Sequence, residues 1–141
     1  MTDTEIAKQH LDGHSICLCK NGEYFTDNGK GISPMMKFIS QGIELAGYSA
    51  ADVIVGKAAA MLFVKSGIVS VYARTLSESG KSFLESHNIP CEYETLTEKI
   101  INRSGTDICP MEKTVDKISD VDETFEALKN KLTEMRSKKG V

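Results

Sequence analysis

Cys109-Pro110-Met111-Glu112 is the stretch best equipped for chemistry. Proline directly after a cysteine fits the first position of a helix, which puts the thiol at a helix amino terminus. The partial positive charge there favours thiolate over thiol, and the thiolate is the nucleophile. A second helix opening lies upstream, at Gly56-Lys57-Ala58-Ala59-Ala60. Lys57 falls in its first turn, where a helix disfavours a cation. A lysine beside free helix N–H groups makes a phosphate or carboxylate site. Cys109 and Lys57 are therefore the candidate catalytic pair, lining one crevice and acting on a small anionic molecule. Four further residues are weaker candidates for ligand contacts. Arg103 is an anion clamp or a solvated turn residue. Asp107 is most simply a helix cap. Glu112 sits in a first turn, where the dipole favours it. Ser33 follows the Gly29-Lys30-Gly31 loop and is primarily a cap.

The bulk numbers narrow the classes. A chain of 141 residues is the size of one domain with a sizeable core. Apolar residues make up 40% and charged residues 26%, which argues against disorder throughout. A net charge of -3 gives no electrostatic case for nucleic acid. No run reaches the roughly 18 apolar residues of a membrane span. MTDTEIAKQH has neither a basic region nor an apolar core, so it does not read as a signal peptide. The expected location is the cytoplasm, with Cys17, Cys19, Cys91 and Cys109 as reduced thiols. The first three lie in strands and read as small core residues. His10, His14 and His87 have no matching metal partners, and no cofactor is expected.

The elements that must position the pair follow from pattern. Asp52 to Gly67 reads as a buried strand over Val53–Val55, a turn at Gly56 and a buried alanine-rich helix. Before it come a short helix to about Leu11 and a strand over 15–20. An Asn21-Gly22 hairpin turn, a returning strand over 23–26 and a helix from Ser33 stopping at Gly47 follow. After it come a strand from Ile68, a helix from Ser77 to about His87 and a strand over 91–96. One or two helical turns are predicted over 97–102, then a helix from about Ile108. The last helix, about 120–136, carries Val121, Phe125, Leu128, Leu132 and Met135 as one apolar stripe. That stripe suits packing on the sheet or on a second chain. The fold expected is a single α/β domain, a mixed sheet of about five strands with helices on both faces.

The two helix openings, with this element order, resemble the cytidine-deaminase-like fold. Active zinc deaminases open the first helix with His-x-Glu and the second with Pro-Cys-x-x-Cys. On that resemblance Lys57 stands at the histidine position and Ala59 at the glutamate position. Cys109 matches the first cysteine and Glu112 replaces the second. The likeness spans residues 14–118 and looks like a domain-of-unknown-function family sharing that fold. It implies no catalytic zinc, since an ammonium replaces a ligand, and no ordinary deamination, since the proton-moving acid is gone. The function expected is a cysteine- and lysine-based enzyme or binder of a small anionic ligand. The alternative is an inert deaminase-like module that acts through protein contacts, as a homo-oligomer (a dimer) through its last helix.

Overall fold

Alternating apolar residues decide which way each strand faces, and here they build one five-stranded sheet. The computed structural model describes residues 1–101 and 105–139. The order is α1 (Asp3–Gln9), β1 (Ile16–Lys20), β2 (Glu23–Asp27), α2 (Ser33–Ser40), β3 (Ser49–Val55) and α3 (Lys57–Ser66). Then come β4 (Ser70–Ser77), α4 (Glu78–Ser86), β5 (Cys91–Thr97), α5 (Pro110–Val115) and α6 (Val121–Lys139). The strands lie in the order β2-β1-β3-β4-β5. β1 runs antiparallel to both β2 and β3, while β3, β4 and β5 are parallel. This is the mixed α/β sheet expected, with β3 at its centre.

Period-2 alternation splits β1 between two cores. Ile16 and Leu18 join the larger one, with residues of α2 through α6. Cys17 and Cys19 turn to the smaller one, with Ala7 of α1 and Leu11 just beyond that helix. The helix layers are therefore unequal: one short helix on one face, five on the other. At the hairpin Asn21 and Gly22 both take positive φ, 54° and 81°, as the Asn-Gly pair predicts. The Asp3 carboxylate accepts their two N–H groups at 2.9 and 3.0 Å, which pins α1 to the turn.

α3 is buried along nearly its whole length, from Ala58 to Phe63. α6 lays its stripe against the same core. Leu128 is fully buried, and Val121, Phe125, Leu132 and Met135 pack against the same core, partly buried. The stripe is thus used within the chain. Asp120 caps α6 by accepting the N–H groups of Asp122 and Glu123, both at 2.9 Å.

Three expectations about elements are corrected. α2 stops at Ser40, not at Gly47, because Gly42 adopts a left-handed φ of 72° and ends the helix. Leu45 still reaches the core, through a turn. Ser33 is the first residue of α2 and makes no side-chain cap; Ile32 holds the cap position. Residues 98–101 form a bend rather than helix, and Ile101 bridges to Ile108.

Leu128→Ala is expected to lower stability by about 2–5 kcal/mol in urea denaturation, the usual cost of such a cavity. Ile43→Ala, at a residue 41% exposed, is expected to stay within about 0.5 kcal/mol.

Candidate functional site

α3 begins with amide N–H groups that its own cap, Gly56, cannot satisfy with a side chain. Glu112, in the first turn of α5, supplies the acceptors. Its Oε1 accepts the Lys57 N–H at 2.8 Å and its Oε2 accepts the Ala58 N–H at 2.9 Å. The return bond runs the other way: Lys57 Nζ donates to the Asp116 carbonyl at the end of α5, at 3.1 Å. An acid thus closes the amino end of one helix and a base the carboxyl end of the other, both in their dipole-favoured places. A Cβ on Gly56 would come within 2.3 Å of Glu112 Oε1. The absent side chain at Gly56 is what lets the carboxylate reach the amides.

Beside this bracket lies a half-open cleft of about 1220 Å³. Its walls come from the loop of residues 28–33, the carboxyl half of β3, the start of α3, the start of α5 and the end of α6. Val53, Ala59, Ile101, Met111 and Met135 make much of it apolar. Asp52 of β3 also lines it and is only 7% exposed. Its partners among the described residues are backbone amides of its own strand: Val53 N–H and Ile54 N–H, the latter 3.4 Å from Oδ1. Burial pushes its carboxyl up to about 7, against the weaker pull of those amides.

The expected site residues distribute unevenly. Cys109 lines the cleft half-buried, at the amino cap of α5, and its N–H donates to Ile100 O at 2.9 Å. Glu112 and Ser33 line it too. Lys57 does not line it; its amine is turned to the end of α5. That corrects the expectation of an ammonium facing Cys109, and the helix amides an anion would need are taken by Glu112. Asp107 accepts the Ile108 N–H at 2.7 Å and pairs with Lys113, outside the cleft. Arg103 lies outside the described residues. Asp52 is the residue that sequence reasoning missed. The signal was present: an aspartate inside Ala50-Ala51-Asp52-Val53-Ile54-Val55 is a charge in a central-strand run.

The zinc set of active deaminases has no counterpart in the donors at these positions. Both Glu112 oxygens are engaged by amides, Ala59 offers none, and Lys57 faces elsewhere. Among the described residues no group of three or more His, Cys, Asp or Glu could hold a metal.

Two measurements test this geometry. Glu112→Ala is expected to cost about 2–4 kcal/mol in chemical denaturation, the range for losing charge-assisted bonds to two amides. Asp52→Asn acts through pH. The folded carboxyl, near 7, holds its proton where the unfolded one, near 3.8, has lost it. Wild-type stability therefore falls as pH rises from about 4 to 7. The variant is expected to lose that decline and to exceed wild type at pH 8, read as a higher thermal midpoint.

Comparison with known proteins agrees with the architecture. The crystal structure of a DUF1893 family protein (TM1506) from Thermotoga maritima superposes with a TM-score of 0.76 at 22% identity. The match covers 84% of this chain and 80% of that one. At that identity it shows a shared fold. Among curated proteins, none matches the chain. The family model described as TM1506, domain of unknown function (DUF1893), matches residues 6–132, and the chain belongs to that family.

Proposed function

We propose that this protein binds a small molecule in the cleft beside the openings of α3 and α5, with Cys109 placed to react with it. The observation that carries this reading is the cleft itself. Ligand pockets are concave, largely apolar and furnished with a few polar groups, and they occur outside the carboxyl ends of strands in α/β sheets. This cleft has those features. Its surface is mostly apolar, Asp52 and Cys109 are among its buried or half-buried polar groups, and it sits at the carboxyl end of the central strand. Lys30 and Arg136 are exposed at its rim and suit an acidic group at the ligand's outer end. That keeps an acid-bearing ligand in view, with Lys30 and Arg136 in place of Lys57. Strand order and the meeting of two helix openings support the cytidine-deaminase-like reading of the fold. The chemistry proposed is thiol-based and not zinc-based.

Iodoacetamide labelling of the folded chain, mapped by peptide mass, tests the role of Cys109. The other three thiols are held up by burial: Cys17 to about 11, with Cys19 adding to it, and Cys19 and Cys91 in the same direction. Cys109 is expected to label first, Cys91 later, and Cys17 and Cys19 only on unfolding. Small fragments soaked into crystals are expected to collect in this cleft. A sluggish Cys109 together with fragments that settle elsewhere would sink the reading.

A further inference from the structure

We propose that Asp52 is the ligand-recognising group, and that the ligand presents to it a protonated nitrogen, an amidinium or similar N–H cation. This rests on the small-molecule reading above and adds the group the ligand must carry. Asp52 is a carboxyl in a central strand whose preceding residues, Ala50 and Ala51, are fully buried with methyl groups. Burying an acid without a partner is costly, yet Asp52 is more than nine-tenths buried and lines the cleft. Its bond from Ile54 N–H, at 3.4 Å, is long for an amide and a carboxylate. A carboxylate can accept about four hydrogen bonds, so acceptor capacity remains. Among the described residues no lysine, arginine or histidine forms an ion pair with it.

The ionisable groups around the cleft come from every wall. His14 precedes β1 and is bonded through Nδ1 to Asn28 at 2.6 Å. Lys30 precedes α2, Cys109 and Glu112 belong to α5, and Arg136 belongs to α6. On β4 the residue paired with Asp52 is Ala73, which brings no charge. Glu112 is occupied by the α3 amides. Among the described residues that line the cleft, Asp52 is thus the acid left with capacity for a cation. An N–H cation seated against it displaces its proton, because the ion pair replaces the neutral acid as the favoured buried form.

The test uses the full chain and three probes of one shape: benzamidine, benzamide and benzoate. Their binding is followed through the backbone amide signals of Ile54, Ala59 and Met111. Benzamidine is expected to shift these signals and to bind about tenfold more tightly at pH 8 than at pH 6, the ratio of ionised Asp52 across that range. Asp52→Asn is expected to lose at least about tenfold in affinity and to flatten the profile. His14→Asn is expected to keep the wild-type profile, which sets aside the imidazole on the cleft wall. The wild-type profile alone decides the matter if the variant fails to fold. A flat wild-type profile, or benzamidine no tighter than benzamide, overturns the role of Asp52. In that case cleft shifts from benzamide or benzoate leave the small-molecule reading standing. If none of the three probes moves the cleft amides, both fall.

Discussion

Two charged side chains hold α3 and α5 together by exchanging ends. Glu112 satisfies the first amides of α3, and Lys57 satisfies a last carbonyl of α5. Each bond to a charged group is worth more than a neutral one, and each charge also lies where the helix dipole wants it. A helix of six residues such as α5 has little stability of its own. It stays in place through this bracket and through Met111 and Val115, both buried. The bracket therefore sets where Cys109 stands, since that residue is the cap of α5. It also dictates glycine at 56, and Gly56 in turn is approached from behind by α4. A Cβ on Gly80 would lie 3.0 Å from the Gly56 carbonyl carbon. Three helices and the central strand converge on one residue without a side chain.

That convergence explains what the cleft does and does not offer. Where two helix openings meet, partial positive charge accumulates. A metal there needs anionic donors to offset it, and a free anion needs unclaimed amides. Here Glu112 has claimed the Lys57 and Ala58 amides, and both of its oxygens are spent on them. The bound anion that Lys57 and the α3 amides would attract is already present, tethered covalently as Glu112. The reactive possibilities move outward, to the thiol at the cap of α5 and to the acid on β3.

Local signals made most of the fold legible. Alternation in β1, the Asn-Gly turn, Ser77 as a cap and the stripe of α6 each report a preference satisfied within a few residues. The Ser77 hydroxyl does accept the Gly80 N–H at 3.0 Å, as a cap should. The readings that went astray depended on partners far along the chain. Lys57 was read as lining the crevice with Cys109, because nothing near it in sequence shows that its amine meets a carbonyl on a different helix. Glu112 looked like an ordinary first-turn acid because nothing near it in sequence shows that it caps another helix. The end of α2 was misplaced for a different reason. Ile43 and Leu45 extended the apolar pattern, but Gly42 can take the left-handed conformation that closes the helix before them. Asp52 was passed over because it opened a run already read as core, and a strand residue's burial depends on which helices later cover it.

Asp52 differs from the other acids of the chain in what surrounds it. Asp3, Asp27 and Asp107 meet amides or lysines, and those contacts hold each of them below the usual carboxylate range. Asp52 meets two amides of its own strand, and burial outweighs them. A carboxyl balanced near neutrality in apolar surroundings is poised to change state when a partner arrives, since one new charge alters the sum that keeps it protonated. The bracket at the helix openings has no such freedom, because both of its charges are already matched. The rigid pair helps build the walls, and in the proposal above the acid on the strand between them is the group that responds to what enters.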